Sequence, residues 1–404
     1  MKKINPFIRW WVTPLLPPED IFASHNFFSQ WVIHPVKRRL ARWYLRFLQR
    51  YTGIKVVAIT GSTGKTTTTE ILGAILSTRQ KTSWSQEGID PVYNIPNTIL
   101  KTAWGTKYLV LEMSVEYVNE MDYYLWLSKP DVAIVTNIAT THTQFLKNRE
   151  GVAEEKKKLV KSLPQEGVAV LNMEDPIVKS FAQSTSAKVR WFGSGSDIFA
   201  EKIKLGRDLS TSFTLVIGPS KKTVRMNVFG RQFVTNALAA AAAAHSLDIS
   251  LTDIVRGIEK FKHPSHRLTV IKSPAYGIIF DDSYNSNPKA ASESLDTFRS
   301  LAGSKTKIAV IGDMLELGKF EEPSHKELGK KVAKMGFDYL IAVGTAVRFT
   351  IEEARSSIGA DKCFLVSDVA EAVPIVKQLA NSNSAIFVKG SRSIALDRLV
   401  NALK

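Results

Sequence analysis

One cysteine, Cys363, is all that the 404 residues contain. An internal disulfide and a cysteine-built metal site are therefore excluded, which agrees with a reducing cytoplasm without requiring one. Long apolar runs are missing too: no stretch approaches the roughly 18 consecutive apolar residues of a membrane-spanning helix. The opening Met1-Lys2-Lys3 has the charge of a secretory leader. Arg9 and the charged, proline-rich stretch from Pro14 to Asp20 interrupt the apolar run such a leader needs, so the N-terminus reads as mature sequence. Acid is scarce beside base, with 38 Asp and Glu against 54 Lys and Arg, a net charge of +16. That excess points to nucleic acid or to an anionic membrane. No nucleic-acid recognition motif accompanies it, so nucleic acid is not expected as a partner. The excess is also uneven: residues 1–50 hold nine Lys and Arg against two Asp and Glu, and four of the eight tryptophans.

With 44% hydrophobic and 23% charged residues, the chain can bury a substantial core, and its length favours two or three domains. From Lys55 onward, short β-branched runs alternate with helical stretches, the pattern of parallel strands joined by crossover helices. Strands are expected at Lys55 to Thr60, Tyr108 to Met113, Val132 to Ile138 and Gly167 to Leu171. The alternating, Ser/Thr-rich stretch from Val189 to Val228 predicts antiparallel strands at that sheet's edge. Asn236 to Leu247 carries an alanine run that predicts a tightly packed helix. Phe261 to Arg267, around Pro264, breaks the periodicity and reads as a linker. A second alternating series follows, with strands at Ile278 to Asp281, Lys307 to Ile311, Tyr339 to Val343, Cys363 to Val366 and Ala385 to Val388, the mark of another doubly wound sheet.

The most specific local signal follows the first strand. Gly61-Ser62-Thr63-Gly64-Lys65-Thr66-Thr67 lies between a strand and a helix. There the glycines let backbone amides curl around phosphate oxygens, Lys65 brings a cation to the terminal phosphates, and Thr66 offers a hydroxyl to magnesium. This predicts a nucleoside triphosphate site. A glycine turn with an incidental lysine is the bland alternative, and the flanking strand and helix disfavour it.

The tight Thr60-to-Thr66 form of this loop resembles that of the Mur ligases, the ATP-dependent amide-forming enzymes of peptidoglycan synthesis, and of their folate-adding relatives. Further similar segments follow in family order. Leu111-Glu112-Met113, Thr136-Asn137-Ile138 through His142, and Gly151 to Lys156 are similar to the family's metal-binding and carbamylated-lysine stretches. Gly230-Arg231-Gln232 to Leu238 resembles its adenine-contacting segment, with Gln232 in place of a usual histidine. Asp281 to Pro288, Gly312 to Gly318 and Val388 to Ser393 look like the branch that adds D-alanyl-D-alanine to a UDP-linked muramoyl tripeptide.

The resemblance implies an α/β architecture in three parts: a short basic helical segment over residues 1–52, a central P-loop ATP-binding domain with a mostly parallel sheet over 53–262, and a Rossmann-like C-terminal domain over 263–404. It implies ATP and two magnesium ions, held through Thr66, Glu112, His142 and a carbamylated Lys156. Lys65, Lys156, His142 and Arg267 would be catalytic. Asn236, Arg267, Asp282, Tyr284, Asn285 and Lys389 would border the nucleotide, with Asp282 on its ribose and Lys389 near its phosphates. Taken without the resemblance, His142 is more often a satisfied loop histidine and Lys156 part of a solvated helix face. The implied partners are a muramoyl-peptide-like acid and an amino-acid or dipeptide amine, handled by a cytoplasmic monomer. A same-mechanism ligase for another acid, folate-like or lipid-linked, and an ATP-binding scaffold without catalysis are the alternatives.

Two stretches depart from that branch. Residues 1–52 show none of the glycine-rich pattern of its UDP-holding domain, and Gly88 to Asn97 is less rich in asparagine, leaving Asn94 as the inner asparagine's counterpart. In Val36 to Tyr51, Leu40, Trp43, Tyr44, Phe47, Leu48 and Tyr51 recur at helical spacing, with Arg38, Arg42, Arg46 and Arg50 four apart on another face. Such a helix has two uses: a structural brace packed on the ATPase domain by its apolar face, or peripheral contact with the anionic inner face of a membrane, with Trp10, Trp11 and Trp31 as added anchors.

Overall fold

The computed structural model describes Trp11 and residues 28–86, 88–263 and 266–404. Trp10, the stretch Pro14 to Asp20 and Pro264 lie outside the described residues. The chain runs through α1 (His34–Thr52), β1 (Lys55–Thr60), α2 (Lys65–Leu76), β2 (Thr82–Trp84), α3 (Pro91–Lys101), β3 (Tyr108–Glu112), α4 (Glu120–Leu127) and β4 (Val132–Val135). It continues with α5 (Thr143–Leu146), α6 (Arg149–Lys161), β5 (Val168–Asn172), α7 (Pro176–Ser180), β6 (Lys188–Phe192), β7 (Ile198–Leu205), β8 (Thr211–Ile217), β9 (Ser220–Met226), α8 (Gln232–Ser246) and α9 (Leu251–Lys260). The rest comprises β10 (Thr269–Ser273), β11 (Gly277–Asp282), α10 (Pro288–Ala302), β12 (Thr306–Gly312), α11 (Glu321–Ala333), β13 (Tyr339–Val343), α12 (Arg348–Ile358), β14 (Cys363–Val366), α13 (Val369–Leu379), β15 (Ser384–Lys389) and α14 (Asp397–Leu403).

The first sheet has the order β2-β3-β1-β4-β5-β6, with every pairing parallel. Its strands are apolar on both faces, as a sheet covered on both sides requires. One face packs on α2, α8 and α9, the other on α1, α3, α4 and α6. The alanine run of α8 is wholly buried from Ala239 to Ala244, so the expected tight packing is found. The stretch from Val189 to Val228 turns out differently from expectation. Its first part is β6, which pairs parallel with β5, whereas β7, β8 and β9 form a separate antiparallel sheet packed against α8 and α9. Alternation along a strand reveals one covered face but not which neighbour covers it.

The second sheet has the order β10-β11-β15-β12-β13-β14, parallel except for β10. The carboxyl ends of β1 and β3 on one side and of β11 and β15 on the other open onto a shared cleft, where open α/β sheets bind ligands. The two bodies touch across it. Thr143 Oγ1 donates to Leu317 O at 2.9 Å, Gln144 N to Glu316 O at 3.0 Å, and Thr297 Oγ1 to Gln232 Oε1 at 3.1 Å.

The N-terminal helix braces the first sheet, through a face that shares only Tyr44 and Leu48 with the expected apolar one. Ala41, Leu45 and Leu48 are buried against it, and Arg38 and Arg42 lie over the rings of Tyr123 and Trp126 at 5.0 and 4.4 Å. Guanidinium groups stack on aromatic rings, so these two arginines belong to the packed face. Among the described residues, no helix is long and apolar enough to cross a membrane.

Candidate active site

The phosphate loop is shaped by two glycines in conformations that other residues adopt only with strain. Gly61 has φ +148° and Gly64 φ +80°; a Cβ on Gly61 would meet Thr136 Oγ1 at 1.9 Å, and one on Gly64 would meet Asn236 Oδ1 at 2.2 Å. The segment just past β4 holds the loop open. Ser62 N donates to Asn137 O at 2.9 Å, Thr63 N to Asn137 Oδ1 at 3.1 Å, and Thr136 Oγ1 to Thr63 O at 2.7 Å. Helix α2 begins at Lys65, so its unpaired backbone N–H groups face the loop. Lys65 Nζ donates to Gly61 O at 3.1 Å. Burial holds its amine below the usual lysine range; Glu112 opposes that shift and Arg267 adds to it, so both lie within electrostatic reach of Lys65.

The cleft has a volume of about 1170 Å³. Ser62, Thr63, Gly64, Lys65, Thr66, Thr67, Glu112, His142 and Asn236 line it from the first body, and Arg267, Asp282, Tyr284, Asn285 and Lys389 from the second. Fourteen of the sixteen residues expected from the sequence thus line one cleft. The other two are Gly61, inside the loop, and Lys156, behind the wall.

Lys156 sits on α6, 1% exposed, and its Nζ has no hydrogen-bond partner among the described residues. Burial, with Lys65 as a further cause, lowers its amine to about 7, against the pull of Glu120, Glu155 and Glu112. An isolated buried cation is costly, so the group gives up its proton instead. A solvated helix face, the bland expectation, is thereby ruled out for Lys156. His142 caps α5 with φ 54°, and its Nδ1 lies 2.6 Å from Glu316 Oε2. Burial lowers its pKa despite that carboxylate, and the bond to His142 in turn holds the Glu316 carboxyl below its usual range.

Two further acids complete this corner. One ligand atom from each of Glu116, His142 and Glu316 lies within 4.8 Å of the others. Burial and the neighbouring Glu316 push the Glu116 carboxyl up to about 7. Glu120, beneath it, accepts from Glu116 N at 2.6 Å and from Tyr117 N at 3.1 Å. Sequence reasoning missed Glu116 as a site residue and saw Glu316 only as part of a motif. The glutamates at 112, 116 and 120, four apart after a strand, were the available signal. With Thr66 and Glu112, this oxygen-rich donor set suits a hard divalent cation.

On the opposite wall, Arg267 lies 3.9 Å over the Tyr284 ring. Asp282 accepts from Leu268 N at 3.2 Å and pairs with Lys389, whose Nζ also donates to Asn285 O at 2.9 Å. Lys389 is 2% exposed. It differs from a lysine free to reach a phosphate: its ammonium is already engaged in fixing the Asp282–Asn285 turn.

Residues 59–244 match the model of the Mur ligase middle domain, and residues 266–392 that of the Mur ligase, glutamate ligase domain. The chain belongs to the Mur ligase family. It is 31% identical over 366 residues to the UDP-N-acetylmuramoyl-tripeptide–D-alanyl-D-alanine ligase of Bacillus subtilis (strain 168), covering 91% of this chain and 78% of that one. The corresponding ligase of Escherichia coli (strain K12) is 29% identical, with 90% and 79% covered. Among solved structures, MurF from Acinetobacter baumannii superposes with a TM-score of 0.82 at 30% identity, covering 92% of this chain and 80% of that one. As a Mur ligase, the chain is an ATP-dependent enzyme that forms C–N bonds, and its cleft sets the glycine loop of one body against the wall of the other that carries Arg267, Asp282 and Tyr284.

Proposed function

We propose that this Mur ligase joins an amine, D-alanyl-D-alanine or a close analogue, to the terminal carboxylate of a muramoyl tripeptide in peptidoglycan precursor synthesis. The names of its relatives supply the substrate class. The observation that carries the reading is Lys156: a buried amine without a partner, set behind the phosphate loop and within electrostatic reach of Lys65 and Glu112. With its pKa lowered to about 7, a large share of the amine is neutral near pH 7, and the neutral amine is the form that adds CO2 to become a carbamate, a change that would give this pocket a negative oxygen in place of a cation. Thr66, Glu112 and His142, with that carbamate, would hold two magnesium ions. Their chemistry is the neutralisation of charge on the phosphoryl oxygens.

The acid's carboxylate attacks the γ-phosphorus of ATP and ADP leaves, giving an acyl phosphate. The amine then adds to the acyl carbon, and inorganic phosphate leaves with the carboxylate's oxygen. Lys65 and Arg267 place positive charge beside the phosphates through both steps, lowering the repulsion between two anionic reactants. Asn236, Asp282, Tyr284 and Asn285 border the nucleoside. His142 meets Glu316 across the cleft, and closure of the two bodies about that contact would protect an acyl phosphate from water. A division of the chain at residues 52/53 and 262/263, and work as a cytoplasmic monomer with residues 1–52 touching the inner face of the membrane, belong to the same proposal.

The test is phosphate release from ATP with a panel of acids and amines, including UDP-N-acetylmuramoyl-tripeptide with D-alanyl-D-alanine and a lipid-linked equivalent. Release that requires both acid and amine is expected. ATP binding without acid-dependent turnover would overturn the reading in favour of a scaffold.

A further inference from the structure

We propose that the outward face of α1 is a docking surface for an anionic lipid bilayer. This deepens the reading of residues 1–52 given above by assigning the contact to one described face of one helix. Over its 19 residues α1 carries six Lys and Arg and no Asp or Glu. One side is buried in the brace through Ala41, Leu45 and Leu48. The other turns Val36, Leu40, Trp43, Phe47 and Tyr51 outward, one residue in every three or four, in a straight stripe about 22 Å long.

This stripe is exposed although it is aromatic. Leu40 is 53% exposed, and Trp43 and Tyr51 are each 66%. Its rings are ordered among themselves: Trp43 stacks on Phe47 at 5.7 Å, and Phe47 touches Tyr51 at 4.8 Å. Trp104, 59% exposed, meets Phe47 at 5.7 Å and widens the patch from beyond α3. A water-soluble surface has no use for so continuous an apolar strip, which marks a contact site.

Charge selects the occupant. Arg46 and Arg50 are exposed and fall on one border of the stripe, and neither is ion-paired among the described residues. Trp and Tyr flanked by arginine match the layered chemistry of a bilayer surface: rings at the acyl boundary, guanidinium groups among phosphates. The helix also has a useful bearing. His34 at its N-terminal end lies 4.8 Å from Tyr93 of α3, while Asp90, Pro91 and Asn94 at the start of α3 line the cleft. Docking by the stripe brings that end of the cleft beside the lipid surface, where an acid carried on a lipid would arrive.

Flotation of the full chain with vesicles tests this, and it requires neither ATP nor acid, so it stands or falls separately from the ligase reading. Wild type is expected to float with phosphatidylglycerol-containing vesicles, not with pure phosphatidylcholine, and to be released as salt rises from about 0.05 to about 0.5 M. Leu40→Glu/Trp43→Glu is expected to weaken binding at least about tenfold while ATP hydrolysis and circular dichroism stay unchanged, and Arg46→Glu/Arg50→Glu to abolish the preference for anionic lipid. Three results would overturn the proposal: no flotation of wild type, flotation that Leu40→Glu/Trp43→Glu leaves intact, or a concentration-dependent dimer that those substitutions abolish in a chain that does not float.

Discussion

Each wall of the cleft buries one lysine, and the two lysines are opposites. Lys389, on the second body, is held by Asp282 and Asn285 O, its charge matched within the fold. Lys156, on the first, has no hydrogen-bond partner among the described residues, and its amine is lowered to about 7. Burial is nearly equal, at 2% and 1% exposed, so desolvation alone does not separate them. What differs is satisfaction. A paired buried cation fixes a turn, whereas an unsatisfied one is a cost that the fold tolerates where chemistry uses it.

The comparison breaks most sharply at activity. Lys156→Ala is expected to lower acid-dependent phosphate release by about 100-fold or more with the fold intact. A small added carboxylic acid should restore part of it, since it returns the missing negative oxygen. Phosphate-release kinetics with and without acetate check this, and full activity in the alanine variant would end the carbamate assignment.

Stability should reverse the order. Lys389→Met leaves Asp282 buried without its cation and is expected to cost about 3 kcal/mol in denaturant unfolding. Lys156→Met removes an unsatisfied polar group and should leave stability unchanged or raise it. Equal losses in both would erase the distinction.

The lowered amine also has a pH signature. Between about pH 7 and the ordinary lysine value, the unfolded chain holds a proton on Lys156 that the folded chain lacks, so stability rises with pH through that window. Relative to Lys156→Met, wild type in CO2-free buffer should gain up to about 1.4 kcal/mol per pH unit as pH is raised above 7. A flat difference would mean that the amine stays charged in the fold.

The smallest effect belongs to Asp122 of α4, an exposed carboxylate that pairs with Lys158 of α6 at 2.7 Å. Asp122→Ala should change stability by less than about 1 kcal/mol and leave turnover unaltered, as surface pairs do.

Much of this was legible in the chain. The phosphate loop, the alternation of strands and helices, and the alanine helix are local patterns, and each appears where local chemistry places it. The Lys389–Asp282 pair was not legible, because it joins residues 107 apart through the parallel register of β11 with β15. Nor was the gathering of Glu116 and Glu316 around His142, which depends on how the two bodies meet. Helical spacing in α1 revealed the helix but not its packed side, since counting arginine as polar hid the stacking of Arg38 and Arg42 on Tyr123 and Trp126.

The most direct test of the acyl-phosphate reaction is oxygen transfer. With the tripeptide acid labelled by oxygen-18 in its terminal carboxylate, the account predicts that one labelled oxygen appears in the inorganic phosphate released for every amide formed. Amide formation accompanied by unlabelled phosphate would contradict it.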